Sequence, residues 1–316
     1  MKKQFTLLTA LLILSTTAAW AQKEFKLAKS SGRLNLNIPG AIIEGYNGNE
    51  IVFSTQRSED EVVDERAKGL KSLSGSGFTD NTGLGLDVSQ NGQDINVNVV
   101  GKKLNGILNI KVPQNIKVSY SNTSSIYHDE LIFKNLKSEM EVSATYNKIK
   151  LENNTGPMNI KTVYGSVDAS FDSDIKGPVS IISVYNYVDI TLPAATKANI
   201  EMGSSYGKLY AADEFKIAIN KDNTTQEKSA QEPVLGTAST LKFNGVNITN
   251  GNGSINITDN KNGENNSIIG TSANGQVVVR GYSNLISGER IKGTINGGGV
   301  DLIFKSNYKN VYLRQR

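Results

Sequence analysis

Asp168, Asp172 and Asp189 are the carboxylates best placed to act as a catalytic acid and base. Two carboxylates that face each other across a groove can cleave a glycosidic bond. Asp168 and Asp189 occupy equivalent positions in two neighbouring sequence repeats, and the spacing of strands would place them about 5 Å apart. No cluster of Arg, Lys or His accompanies them at matching repeat positions. The pattern therefore favours surface carboxylates over a catalytic pair.

A Gly-x-Ser-x-Gly motif at residues 203–207 has Ser205 in the position of a hydrolase nucleophile. That motif works at a strand-to-helix turn, and an acid and a His follow it in the chain. Here both flanks resemble strands, and His128, the single His of the sequence, lies upstream. We therefore interpret His128 as a turn residue and predict no catalytic residue in this chain.

Metal binding is the other chemistry that the acidic residues could support, because Asp172 and Asp174 begin like a calcium-binding EF-hand loop. Lys176 and Ser183 stand at its fifth and twelfth positions, where an EF-hand needs an oxygen ligand and a Glu. The absence of Cys excludes disulfides, thiol catalysis, Cys-ligated zinc and iron–sulfur clusters, and a single His excludes two-His sites. The sequence predicts a polar turn here, with no metal site and no cofactor.

Five tyrosines are the candidate ligand-binding residues: Tyr146, Tyr164, Tyr185, Tyr187 and Tyr206. All but Tyr187 begin the motif Tyr-[Asn/Gly]-x-[Ile/Val/Leu], at intervals of 18, 21 and 21 residues, and Tyr308 begins a similar motif near the C-terminus. Stacked tyrosines could bind sugar rings, but ring-to-ring packing would also stabilise the repeats without a ligand. We favour the structural role, and we expect Tyr187 to face solvent.

The tyrosine motif marks a repeat of roughly 20 residues that contains two short stretches of alternating apolar and polar residues. Such a repeat predicts an all-β protein, a single elongated β-solenoid similar to a parallel β-helix. Counting alternate residues along residues 179–185 places Tyr185 on the inward face with Ile181 and Ser183. An Asn or Gly after each Tyr indicates a corner with positive φ.

The rest of the chain is expected to extend this one domain, which spans residues 22–316. Residues 58–70 carry a Ser cap, early acids and later bases, and they predict one short N-terminal helix. A mobile insertion that interrupts the coils is predicted at about 213–240, because residues 220–233 contain almost no apolar residues. The last coils are predicted from Ile268 to Leu313.

Residues 1–21 have the pattern of a signal peptide, with Lys2 and Lys3 before an apolar stretch and cleavage between Ala21 and Gln22. Two of the 34 basic residues lie in this leader and all 30 acidic residues follow it, which leaves a mature charge near +2. That charge does not predict a basic surface that would bind nucleic acid. No second long apolar stretch predicts a transmembrane segment. We expect export to the periplasm, the cell surface or the medium.

Three segments resemble an adhesin family with β-strand repeats, exported by bacteria of the Bacteroidetes type, whose adhesive role is itself inferred. They are residues 108–118 (LNIKVPQNIKV), residues 65–70 with 80–86 (ERAKGL and DNTGLGL) and residues 293–302 (GTINGGGVDL). This chain departs from the family in having Tyr where many of its coils carry a small polar residue. The resemblance implies a β-helix-like fold and export, and it brings no catalytic residues.

Together these features predict a non-enzymatic structural or adhesive module of the cell envelope, with surface glycans or matrix proteins as partners. Two alternatives stay open: a carbohydrate-active β-helix enzyme, either a polysaccharide lyase or a hydrolase, and a periplasmic protein of the envelope stress response. The sequence leaves the oligomeric state undetermined.

Overall fold

The protein, seen in a computed structural model, is all-β. The structure describes residues 23–55, 65–67, 69–101, 104, 106–220 and 288–316, together with the backbone of five strands between residues 239 and 280. The signal peptide predicted at 1–21 lies outside this part of the chain. So does most of the helix predicted at 58–70, of which a three-residue 3₁₀ helix, Glu65–Ala67, is described. Among the described residues there is no α-helix.

Most strands belong to two large sheets, in which neighbouring strands are mostly parallel. In spatial order, sheet A consists of β1 (Lys23–Leu27), β4 (Ile51–Thr55), β7 (Leu108–Pro113), β3 (Ala41–Tyr46), β9 (Leu131–Lys134), β11 (Ile149–Glu152), β13 (Val167–Ser170), β15 (Val188–Leu192), β26 (Val311–Gln315) and β17 (Leu209–Ala211). Sheet B consists of β18 (Ala218–Ile219), β24 (Glu289–Ile295), β16 (Ala198–Ser204), β25 (Val300–Ser306), β14 (Val179–Ser183), β12 (Met158–Thr162), β10 (Met140–Ala144), β8 (Ile116–Asn122), β2 (Gly32–Asn37), β6 (Asp94–Val99) and β5 (Leu86–Asn91). The two sheets remain open and separate, so the single β-solenoid stays a prediction.

The hydrophobic core forms from alternate residues of the strands. In β10, Met140, Val142 and Ala144 are buried while the residues between them are partly exposed, as expected for side chains that alternate between the two faces of a sheet. Buried residues of both sheets join one core. The aliphatic residues that follow the tyrosine motif pair side by side in sheet A, as Ile149 does with Val167 and Val167 with Val188.

The order of strands departs from chain order near both ends of the sheets. β25 lies between β14 and β16, and β26 lies between β15 and β17, so the C-terminal strands are inserted between earlier ones. In the same way, β2 lies between β8 and β6, and β3 lies between β9 and β7. The strands of each sheet therefore do not stack in chain order at these positions.

A third sheet forms from β19 (Ser239–Phe243), β20 (Val246–Gly251), β21 (Ser254–Asp259), β22 (Asn266–Ala273) and β23 (Gln276–Arg280). Each of these strands is antiparallel to the next. Coils were expected from Ile268 onward, but Ile268 lies in this antiparallel sheet, and parallel pairing resumes only at Val300. Residues 221–238 of the predicted insertion lie outside the described residues.

Candidate functional site

Five tyrosine rings stack in one column, which we call the tyrosine ladder: Tyr146, Tyr164, Tyr185, Tyr308 and Tyr206. Neighbouring ring centroids are 4.6 to 5.0 Å apart, and the ring planes differ by 8 to 17°. The His128 ring stacks on Tyr146 at 5.4 Å and ends the column. This spacing matches that of hydrogen-bonded strands, because each ring follows a strand of sheet B. Tyr308 lies between Tyr185 and Tyr206, where the inserted strand β25 brings it.

The ladder lies on the outside of the protein, so the inward orientation predicted for these tyrosines is wrong. Tyr164, Tyr185 and Tyr308 are 41 to 44% exposed, and Tyr206 is 73% exposed. The strand alternation ends two residues before the Tyr, at a buried hydroxyl such as that of Ser183. The chain turns after that residue, and the turn reverses the face on which the Tyr side chain lies.

Buried hydroxyls hold four of the five ladder turns in place, the exception being the turn before Tyr146, where Ala144 takes this position. The sequence interpretation missed this role. Ser183 Oγ accepts a hydrogen bond from the Asn186 N–H at 3.1 Å and donates one to the Gly165 carbonyl at 2.7 Å. Three further residues make the same pair of bonds: Thr162, Ser306 and Ser204. In the sequence, each of these four residues is recognisable as a Ser or Thr two positions before a tyrosine of the ladder.

The corner residue after the Tyr does not have the positive φ that was predicted, since neither Gly165 nor Gly207 is among the residues in that conformation. Close backbone approach explains the glycine instead. A Cβ atom at Gly165 would collide with the Asn147 carbonyl, and one at Gly207 would collide with the Lys309 carbonyl.

The stacking decides which surfaces of the ladder can contact a ligand. An interior ring such as Tyr164 has a neighbouring ring on both faces, so it offers its edge and its hydroxyl to solvent. Among the described residues, Tyr206 stacks on one side only, against Tyr308, in accord with its higher exposure. Ligand binding by the five predicted tyrosines stays a prediction.

Tyr187, which the sequence predicted to face solvent, is bonded to a neighbouring carboxylate on sheet A. Its side chain is half-buried, and its hydroxyl donates a hydrogen bond to Asp168 Oδ2 at 3.3 Å.

The predicted carboxylates Asp168 and Asp189 are direct neighbours on β13 and β15. Basic partners accompany them, contrary to the expectation from sequence. Asp189 accepts two hydrogen bonds from Arg314, at 2.7 and 2.8 Å, and Lys148 Nζ lies 3.5 Å from Asp168. The bonds to Asp189 raise the pKa of Arg314. Both carboxylates border a shallow groove of about 300 Å³ on the outer face of sheet A.

The remaining chemical motifs do not assemble into sites. Ser205 Oγ hydrogen-bonds Asn307 Oδ1, at the end of the ladder opposite His128. Asp172 forms an ion pair with Arg316. The part of the chain that the structure describes contains no group of three metal-ligating side chains. Within the same residues, no helix has the length and hydropathy to cross a membrane.

A second aromatic pair, absent from the sequence prediction, lies at the end of sheet A. Tyr210 and Tyr312 stack with centroids 5.3 Å apart and planes 8° apart, and the Arg314 guanidinium lies 5.5 Å from the Tyr312 centroid. These residues border a pocket of about 520 Å³ whose lining also includes Glu214 and Arg316. The pair joins residues 102 positions apart, so local spacing could not reveal it.

Glu201 forms the centre of a charged cluster on sheet B. Its carboxylate lies 2.5 Å from Lys305 Nζ, 3.0 Å from Arg290 and 3.8 Å from Lys292. Burial opposes ionisation of Glu201, but the three cations outweigh it and hold its pKa below the usual value. The cluster therefore joins three strands of sheet B by charge.

No protein-family model and no curated protein matches this chain. A similar solved structure is described as a putative cell adhesion protein from Clostridium sporogenes. It is 11% identical over 93% of this chain and 100% of that chain, with a TM-score of 0.36. The attribution to a Bacteroidetes adhesin family has no support in these comparisons.

Proposed function

We propose that this protein is an exported, non-enzymatic β-solenoid that acts as an adhesive or structural module of the Gram-negative cell envelope. The alternation of strands supports the solenoid, because from β8 to β17 each strand lies in the sheet opposite to that of the strand before it. A chain that winds in this way presents a regular lateral surface, suited to multivalent contact. The step from this architecture to adhesion rests on analogy between folds.

The exposed tyrosine ladder is the main observation that supports the proposed adhesive role. Five aromatic residues are placed in register on the outside of the protein, where burial in its own core does not account for them. Their hydroxyls repeat at about 4.8 Å along the column. A row of ring edges and hydroxyls can contact a glycan or an extended matrix protein at many points, each of which is weak alone.

Binding of the purified protein to immobilised glycans and matrix proteins tests this role. We expect saturable binding to at least one of the two classes and none to an albumin surface. The double variant Tyr164→Phe/Tyr308→Phe keeps the stacked rings and removes two hydroxyls, so it should bind several-fold more weakly at unchanged thermal stability. An absence of binding to both classes would refute the adhesive role.

A carbohydrate-active enzyme is the second candidate, favoured by the adjacent Asp168 and Asp189 beside the groove on sheet A. Incubation with a panel of polysaccharides distinguishes the two functions. New reducing ends or unsaturated uronates that disappear with Asp189→Asn would establish the enzyme. We expect neither product, since both carboxylate oxygens of Asp189 already accept hydrogen bonds from Arg314.

Location is tested by protease treatment of intact cells. An adhesin at the cell surface should be cleaved while the cells remain intact. Protection until the outer membrane is broken would instead favour the periplasmic envelope-stress protein.

A further inference from the structure

We propose that the free end of sheet A binds a neutral pyranose sugar on the exposed ring face of Tyr210. This inference rests on the proposed adhesive function and assigns it a ligand class and a place. It uses Tyr210, Tyr312 and Glu214, none of which belongs to the tyrosine ladder.

The end of sheet A formed by β17 differs from the other ends of the two sheets. The opposite end of sheet A closes with the antiparallel strands β4 and β1, and sheet B closes with antiparallel β5 at one end and antiparallel β24 and β18 at the other. β17 has three residues, is parallel to β26, and has no second neighbour among the described strands. Side chains of β17 are therefore open toward the end of the sheet.

Tyr210 is the aromatic residue at this end. One face of its ring stacks on Tyr312, and the side chain is 46% exposed. Because β17 is the last strand of sheet A among the described strands, none of them covers the opposite ring face. An exposed aromatic face packs against the C–H groups of a pyranose, so it provides the apolar half of a sugar site.

The support behind Tyr210 is held in a fixed arrangement. Tyr312 packs beneath it, and the guanidinium of Arg314 lies over the Tyr312 ring. Arg314 is oriented in turn by its two hydrogen bonds to Asp189. A platform that is already ordered loses little conformational entropy on binding, and this favours affinity for a small ligand.

The charges around the pocket favour a neutral sugar over an acidic one. Arg314 is neutralised by Asp189, and Arg316 by Asp172. Glu214 is exposed, borders the same pocket, and can accept hydrogen bonds from sugar hydroxyls. Its negative charge would repel a uronate. The pocket volume of about 520 Å³ is in the range of small-ligand sites.

Pairing with a strand from a second copy is less well supported at this edge. The Val311 N–H donates to the Lys208 carbonyl, and the Ala212 N–H donates to the Leu313 carbonyl. Since alternate residues of a parallel strand bond to opposite sides, Leu209 and Ala211 are the two residues left to pair with a further strand. Two residues form too short a ladder for stable strand addition.

Calorimetric titration of the purified protein with cellohexaose, mannohexaose and hexagalacturonate tests the proposal. We expect a neutral hexasaccharide to bind, and Tyr210→Ala to weaken it about tenfold or more. Tyr210→Phe keeps the ring and should bind within about twofold of the wild type. Ile107→Ala is the matched control: that apolar side chain is 59% exposed but directly precedes β7, near the opposite end of sheet A, so its loss should leave sugar affinity unchanged.

Four outcomes would overturn the site. Unchanged affinity in Tyr210→Ala would place the sugar elsewhere, binding of hexagalacturonate alone would refute a neutral ligand, and Tyr210-dependent dimers without sugar binding would assign the edge to self-association. Failure of all three hexasaccharides to bind would also refute it. In each case the adhesive role survives if the protein still binds immobilised glycans or matrix proteins.

Discussion

At the scale of single residues, we predict that the buried hydroxyls that hold the turns contribute measurably to the free energy of unfolding. Replacing Ser183 by Ala leaves the Asn186 N–H and the Gly165 carbonyl without their side-chain partner. Because this site is fully buried, we expect the free energy of unfolding to fall by about 1–3 kcal/mol. Urea denaturation measures the change.

Ser143 provides the matched control for Ser183. It lies on β10 with its side chain partly exposed on the outer face of sheet B. Ser143→Ala should change the free energy of unfolding by less than about 0.5 kcal/mol. Equal effects of the two substitutions would contradict an energetic role for the buried hydroxyl.

Lys161 should make the free energy of unfolding depend on pH. It lies on β12, and burial lowers its pKa from 10.5 to about 8. Between about pH 8 and pH 10.5 the folded protein has released a proton that the unfolded chain still binds, so this residue makes stability rise with pH across that window. Lys161→Met removes the group. The free energy of unfolding of the wild type, measured against this variant, should therefore rise by up to about 3 kcal/mol over that range.

Lys161→Arg separates titration from the loss of charge. Arg stays protonated throughout this range, so this variant should be less stable than the wild type at pH 10 and similar to it at pH 7. Parallel pH profiles for the wild type and both variants would show that burial of Lys161 does not affect its protonation.

At the scale of elements, the position of a ring within the tyrosine ladder should set its contribution to stability. Tyr164→Ala removes two stacking contacts, at 4.7 and 4.8 Å, whereas Tyr206→Ala removes one, at 5.0 Å. We expect losses of about 1–3 and about 0.5–1.5 kcal/mol respectively in urea denaturation. A larger loss for Tyr206→Ala would indicate that contacts other than ring stacking dominate.

Local patterns predicted the strands themselves but not every face or neighbour. Alternation identified β10, β12 and β14 because the period of two is a property of a few adjacent residues. The same count failed at Tyr185, since the turn held by Ser183 interrupts the alternation before the Tyr. A Ser or Thr before the motif indicates this turn, because its hydroxyl can hydrogen-bond to the nearby backbone.

The candidate sugar site was beyond local prediction for a different reason. Tyr312 meets Tyr210 only because β26 enters between β15 and β17. The motif at Tyr308 resembles the motifs at Tyr185 and Tyr206, so spacing alone allows any order of stacking. The order in which the rings stack is set by pairing between strands that are distant in the sequence. Because the repeats resemble one another, no local sequence pattern predicts this order.

At the scale of the whole molecule, strands from near both termini are internal to the sheets. β25 and β26 pair on both sides, as do β2 and β3. Their core residues, such as Phe304 and Leu313, are buried. The contacts of β25 and β26 join residues more than 100 positions apart, and those of β2 and β3 join residues 61 to 90 positions apart. Loop closure must precede such contacts, so slow folding is expected.

Truncation tests the importance of the inserted strands. Deleting residues 300–316 removes β25 and β26 and leaves β14, β15, β16 and β17 without the partners between them. We expect this truncated chain to lose cooperative unfolding in urea and to be cut rapidly by protease, because it exposes both buried apolar side chains and unpaired strand edges. Deleting residues 23–27 is the matched control: it removes β1, an edge strand whose one neighbour among the described strands is β4. That shorter chain should still unfold cooperatively at a modestly lower urea midpoint. Cooperative unfolding of the chain without residues 300–316 would mean that the remaining strands can close the gap, and that the inserted strands contribute no more than an edge does.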